Sequence, residues 1–436
     1  MEIMKQRFLL LLFLPVGLWS QPKWEKLASS QLRTVTFSLS EVMLHDGTNP
    51  PAASRFYAYA LVAGYETQAV YDGSVPDLYG RANDFPLVVR PVSADSVCVP
   101  FAVLWAILET GRNIMPSGQE LEAKQTGLEQ FYRQRLMPEY LIEGSKAAAN
   151  SISRQILQWA KADGYSQLTA QPRYRPGTAA GDWAPTPPDW MAAVEPRWAT
   201  LRPFLLDVPL HYDIPEPIPF DSVQGSPFYR QMEEVYTTSK QLSEEQRTIA
   251  LYWDCNPFAV FHAGHMMIGI KKISPAGHWI NIIGEACEQY RTPFAKAIQA
   301  HAWTAMVMAD AFIVCWQEKY RTERIRPITA INRYLDPSWT PLLQTPPFPE
   351  YVSGHSTVST AAAETLSKIL GDDRPFTDQT ETLYDMQPRR FESFREAADE
   401  ASISRLYGGI HFRDALVNGQ SQGRQVAEQA WGRLSK

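Results

Sequence analysis

The sequence predicts an all-α protein. Three observations carry this: apolar residues recur at helical spacing along most of the chain, helix-start signals precede several of those runs, and no convincing strand run or fixed-period repeat appears. With 436 residues and 45% hydrophobic content, the chain has ample material for a buried core in one large domain or two.

Residues 31–163 read as mostly helical. Asn49-Pro50-Pro51 forms a turn that starts a helix over 54–70, rich in Ala, Tyr and Leu. Residues 97–108 are almost all apolar and predict a buried helix; 121–137 and 139–162 are more amphipathic. From 164 to 227 prolines recur, and each removes a backbone donor and blocks a helix interior. That stretch predicts a long irregular connection packed on the surface by Trp183, Trp190 and Trp198, either walling a site or simply wrapping the fold. Helices resume near Tyr229. Ser243 and Gln246 have capping-box spacing, and Thr292-Pro293 opens the strongest helical stretch, 290–324. Residues 327–349 predict a loop with short turns, and 356–370, 391–406 and 417–434 predict helices. The expected organisation is a leader over 1–20, an N-terminal helical region over 21–227 ending in the Pro-rich connection, and a helical core over 228–436.

The leader is read from Lys5 and Arg7, followed by the apolar run 8–16 and a cut after Ser20, so the expected location is exported, periplasmic or extracellular. No later stretch has the roughly 18 consecutive apolar residues of a membrane span. A net charge of −6 with no basic run argues against nucleic acid as a partner. The cysteines, Cys98, Cys255, Cys287 and Cys315, lack the close spacing of zinc motifs and predict buried free thiols. His262 and His265 share a face without a third ligand in view and are expected to be structural.

The chemistry concentrates in three blocks of the last quarter. Lys319 and Arg326 stand seven residues apart, so on one helix both heads would reach one ligand before Pro327 ends it. Ser353-Gly354-His355 opens a helix of small residues: Ser353 suits an N-cap, and the free amides beside Gly354 suit an anion. Ser404-Arg405 is followed by Gly408-Gly409, whose break lets Arg405 and His411 turn toward one pocket. Lysine, arginines, serine, a glycine amide and two histidines suit a tetrahedral oxyanion such as phosphate or vanadate. Taken alone, the first block reads first as a cationic helix end, the second suits a plain cap as well as a site, and the third reads first as a helix stop.

Taken in order, the blocks resemble the signature of the vanadium-dependent haloperoxidase and type 2 phosphatidic acid phosphatase superfamily. That signature is a lysine, six residues and Arg-Pro; then Pro-Ser-Gly-His; then Ser-Arg, five residues and a histidine. Asn49-Pro-Pro, Trp253-Asp254, Asn256-Pro and Gly264-His265 also resemble its soluble bacterial haloperoxidase-like branch. The resemblance implies that Lys319, Arg326, Arg405, Ser353 and the Gly354 amide hold the oxygens of vanadate. It makes His355 the acid/base and His411 the axial vanadium ligand, or the nucleophile toward a phosphate ester. Asp254 resembles an acid that orients a site cation, here Arg405. Trp316 and Phe348 resemble the aromatic residues beside the halide. Two departures stand out: Val352 replaces the usual proline, which should loosen the turn, and Asp414 comes one position earlier than the acid that usually follows the histidine. The implied activity is oxidation of halide by hydrogen peroxide, with a soluble phosphatase or a non-catalytic phosphate binder as alternatives.

Overall fold

The computed structural model describes residues 21–436 apart from Phe258, Gly264, His265 and Ile270. The expected leader over 1–20, and the Gly264-His265 part of the resemblance, lie outside the described residues.

The all-α expectation holds. The N-terminal region contributes α1 (Gln21–Asp46), α2 (Pro50–Asp72), α3 (Val99–Ile114), α4 (Leu121–Arg133) and α5 (Glu139–Lys161). Asn49 caps α2 by accepting from the Ala52 amide at 2.9 Å, and the prolines behind it sit where a helix needs no N–H. Because Ala, Tyr and Leu leave no polar face, α2 is buried on nearly all sides. Residues 164–227 carry only two short 3-10 turns, as their prolines dictate.

The C-terminal region begins with α6 (Pro227–Lys240) and α7 (Glu244–Tyr252), the latter opened by the full Ser243–Gln246 capping box. Then come α8 (Pro275–Gln289), α9 (Phe294–Thr322), α10 (Pro327–Tyr334), α11 (Gly354–Leu370), α12 (Phe394–Tyr407) and α13 (Arg413–Leu434). Two short antiparallel hairpins, β1–β2 (Val260–Ala263 with Met266–Gly269) and β3–β4 (Phe376–Asp378 with Arg389–Phe391), were not anticipated. At three or four residues per strand they give no run long enough to register as alternation.

Helix α9 is the axis of the fold and packs against α2, α8, α11 and α13. It is long and apolar enough to cross a membrane, contrary to the sequence expectation, but its apolar window is 94% buried against its neighbours, as in a core helix. One hydrophobic cluster runs from Trp24 to Leu434 and joins both halves of the chain. A smaller one, including Phe228, Met232, Ile331 and Phe412, lies under α6 and α10. The Pro-rich connection is pinned to α9. The Asp310 carboxylate accepts from the Phe204 and Leu205 amides at 2.6 and 2.7 Å, and burial pushes its pKa up to about 7.

The expectation for 319–349 needs correction. Helix α9 stops at Thr322, where Glu323 takes a left-handed backbone at φ 46°. Arg326 therefore does not share a helix with Lys319; it precedes α10, which Pro327 starts rather than ends. Proline at the first helical position forfeits no hydrogen bond, so the residue read as a stop serves as a start.

The start of α11 is held by close contact with α13. A β-carbon at Gly423 would overlap the Thr357 carbonyl oxygen and come within 3.0 Å of Thr360 Cβ. Gly423→Ala is expected to cost about 1–3 kcal/mol through overpacking. Urea denaturation followed by circular dichroism measures this; an unchanged midpoint would show that the helix pair yields freely.

Candidate active site

The second and third blocks line one cavity, and the first reaches it through Arg326, whose Nη1 lies 3.2 Å from His411 Nε2. Its lining includes Asp254, Cys255, Trp316, Phe348, Gly354, His355, Arg405 and His411. It is narrow, with about 40 Å³ of room for the centres of water-sized molecules. A larger cavity of about 690 Å³ lies among α1, α8 and α9 and takes in none of the three blocks.

His411 has a defined tautomer. Its Nδ1 lies 2.8 Å from Glu350 Oε1, and its Nε2 lies 3.2 Å from Arg326 Nη1. A guanidinium can only donate, so Nε2 accepts and the proton sits on Nδ1, facing the carboxylate. Burial, followed by the charges of Arg326, Lys319 and Arg405, holds the His411 pKa well below that of a free histidine. That shift favours the neutral ring, whose Nε2 lone pair faces Arg326 Nη1.

Glu350 is the functional residue that the sequence reading missed. Besides His411 it accepts from the Phe412 amide at 3.0 Å, and its second oxygen receives Arg324 Nη1 at 3.2 Å. Arg324 Nη1 also meets Asp414 Oδ1 at 2.6 Å. The early position of Asp414 is thereby explained: it supports His411 through Arg324 and Glu350 rather than directly. A signal existed, since Glu350 is the only carboxylate between Pro346 and Ser353.

The cations are buried and mostly engaged by carbonyls. Lys319 Nζ donates to Pro349, Glu350 and Val352 oxygens at 3.0, 3.0 and 2.6 Å, and burial pulls its pKa down to about 7. Val352 does not loosen the turn, because its carbonyl is one of these clamps and its side chain is fully buried. Arg326 donates from Nε to Phe348 O at 2.8 Å and from Nη1 to Ile410 O at 2.9 Å, leaving Nη2 buried without a partner. Burial takes its pKa to about 10. Arg405 reaches Trp253 O at 2.6 Å and Ser404 Oγ at 3.0 Å, and burial lowers its pKa as well. Asp254 makes its ion pair with Lys272 at 3.4 Å and helps keep Arg405 charged by proximity.

Ser353 caps α11, accepting from the Ser356 amide at 3.3 Å, as expected. A β-carbon on Gly354 would meet only ordinary contacts, 3.7 Å from Trp316 and 4.0 Å from Cys315 Sγ, so the glycine leaves the helix start open toward the cavity. His355 Nε2 is buried without a partner, and burial, then Arg405 and His411, hold its pKa well below the usual value. Gly409, at φ 76°, makes the turn that brings His411 beside Arg326, four residues after the end of α12. The rings of Trp316 and Phe348 lie 4.9 Å apart, with Lys319 Nζ 5.8 and 5.1 Å from their centres. The Pro-rich connection backs this wall, since Val194 O accepts from Trp316 Nε1 at 3.2 Å and from the Tyr320 hydroxyl at 2.6 Å.

These residues fit a tetrahedral oxyanion. Arg405 lines the cavity with Lys319 and Arg326 buried behind it, Arg326 Nη2 is a buried donor without a partner, and the helix that Ser353 caps starts here. Burial lowers the pKa of every one of these cations and of both histidines, and neighbouring cations lower those of Lys319, Arg326, His355 and His411 further.

Comparison with known proteins agrees. The family described as the VCPO second helical-bundle domain matches residues 299–436. The crystal structure of a bacterial vanadium-dependent iodoperoxidase is 36% identical in sequence, covers 93% of this chain and 96% of its own, and has a TM-score of 0.84. Holo-type and apo-type bacterial vanadium-dependent chloroperoxidase structures share the fold at 16% and 15% identity, with TM-scores of 0.64 and 0.66; each covers 89% of this chain, and 93% and 94% of its own. No curated protein matches the chain.

Arg324 is 5% exposed and bridges two carboxylates. Arg324→Met would strand Glu350 and Asp414, costing about 3–5 kcal/mol, and Arg324→Lys would restore only part because an ammonium lacks the planar fork. Chemical denaturation checks this; wild-type stability in Arg324→Met would mean that the bridge carries no net weight.

Proposed function

Because the chain belongs to the vanadium-dependent haloperoxidase family, we propose that it oxidises iodide with hydrogen peroxide, using vanadate held in the cavity described above. The observation that carries this reading is the neutral His411 Nε2 presented to a buried cluster of cations. His411 Nε2 would ligate the vanadium. Arg326, Arg405, Lys319, Ser353 and the Gly354 amide would hold the oxygens.

When bound, vanadate supplies the activation of hydrogen peroxide toward oxygen transfer to halide. The chain's own part is binding, orientation and proton handling. Glu350 keeps the proton of His411 on Nδ1, so that Nε2 stays a ligand. Arg326 Nη2 and the first amides of α11 are the donors for oxygens. For Lys319 to join them, it would exchange one of its three carbonyl acceptors for an oxygen of the anion. His355, held neutral, takes a proton from peroxide at Nε2 and returns it. The balance is halide, peroxide and one proton giving hypohalous acid and water. Trp316 and Phe348 offer an apolar face beside the Lys319 charge, which suits a large, weakly hydrated iodide.

The narrow cavity favours such small substrates over a phosphate ester. The preference for iodide is supported by the similarity to an iodoperoxidase. Export to the periplasm or beyond rests on the leader-like residues 1–20, and N-terminal sequencing of the exported chain would find Gln21 first.

The test is purified chain starting at Gln21, with and without orthovanadate. Peroxide-dependent iodide and bromide oxidation is followed beside hydrolysis of a chromogenic phosphate ester. Vanadate-dependent iodide oxidation is expected, with a loss of roughly 100-fold or more in His411→Ala. In Glu350→Gln the vanadate needed for half activity should rise by roughly 10–100-fold, the scale of losing a partner that orients a ligand. Ester hydrolysis inhibited by vanadate, without halide oxidation, would make the protein a phosphatase; folded protein silent in both would make it a binder.

A further inference from the structure

Beyond the Trp253 carbonyl that holds Arg405 lies a second group of side chains, which halide oxidation does not use. Cys255 follows α7, His278 stands in the first turn of α8, Asp378 ends β3, and Glu381 sits in the 3-10 turn Thr380–Tyr384. All four are buried, at 2% exposure or less.

Their atoms are arranged around a point. Cys255 Sγ lies 3.5 Å from His278 Nδ1, Glu381 Oε1 lies 3.4 Å from the same nitrogen, and the three ligand atoms lie within 4.8 Å of one another. A tetrahedral zinc ion with ordinary bond lengths would place sulfur roughly 3.6 Å from nitrogen and nitrogen roughly 3.4 Å from oxygen. The far side of the ring is fixed as well. Asp378 Oδ2 takes His278 Nε2 at 2.7 Å, and its Oδ1 is held by the Thr380 amide at 2.9 Å. A carboxylate behind a histidine is the usual way of aiming the other nitrogen at a metal. The independent pointer is Glu381, whose two carboxylate oxygens are both buried and accept no hydrogen bond. A buried carboxylate in that condition is costly unless it has a cation to ligate.

We propose that Cys255, His278 and Glu381 bind one zinc-type divalent ion, with Asp378 orienting His278 and a water in the fourth position. The Cys255 thiolate and the Glu381 carboxylate balance the ion's charge, while the Asp378 carboxylate pairs with the His278 N–H behind it. Its role is to lock the 253–256 turn, and through the Trp253 carbonyl the guanidinium of Arg405. Sequence spacing could not show it, because each ligand comes from a different element.

The rival arrangement is a metal-free one in which an imidazolium sits between Asp378 and Glu381. Untagged protein, purified without chelators, separates the two by elemental analysis that counts zinc apart from vanadium. Stoichiometric zinc is expected, lost in Cys255→Ser and Glu381→Gln while circular dichroism stays unchanged. Cobalt(II) exchanged into the wild-type chain should give a thiolate-to-metal charge-transfer band, which decides the matter even if the variants fail to fold. Wild-type protein that carries no zinc and shows no such band with cobalt(II) overturns the proposal, as does full zinc retention in both variants. Neither readout depends on halide oxidation.

Discussion

Glu350 is the point through which the site is held together. Its side chain fixes the proton of His411, caps the Phe412 amide and receives Arg324, while its carbonyl is one of the three oxygens that Lys319 grips. A buried carboxylate is expensive to keep ionised, and burial raises the Glu350 pKa. Arg324 offsets that cost, and Asp414 in turn offsets Arg324. Each buried charge is tolerated because the next one is present. Orientation of the histidine is therefore a property of a chain of charges and not of a single contact.

The cavity itself is deliberately out of balance. Lys319, Arg326 and Arg405 are satisfied mainly by backbone carbonyls, which orient their heads without neutralising them. The positive charge stays available to a small anion, with little reorganisation needed when one arrives. Burial and then the same fields hold the pKa values of His355 and His411 well below that of a free histidine. Electrostatics that disfavour the empty cavity are those that favour a filled one.

Rigidity comes from the helices around it. Helix α9 holds Trp316 and Lys319 buried near its C-terminal end, so their positions are set by a helix whose apolar window is 94% buried. Glycines of α13 let α11 come close, and the Ser353 amide is tied to the Ala415 carbonyl at 3.0 Å. The Pro-rich connection buttresses the aromatic wall from outside through Val194, without lining the cavity. A proline-rich strap with few free N–H groups suits this, since it needs few partners of its own.

Local chemistry was legible in the sequence because its causes are local. Asn49 before two prolines starts α2, Ser353 caps α11, and the break at Gly408-Gly409 turns Arg405 and His411 to one side; each depends on residues within a few positions. The blocks, read together, also pointed to Gly354, His355, Arg405 and His411, which line one cavity. What only the tertiary structure decided is who meets whom across distance. Lys319 clamps the loop before Ser353, Arg326 arrives from the start of α10 rather than the end of α9, and Glu350 displaces Asp414 as the partner of His411. Cys255, His278 and Glu381 come together from separate elements. Hydrogen-bond capping and backbone torsion act within a turn, so spacing records them. Ion pairing and burial act between segments brought together by packing, and only the folded chain determines those distances.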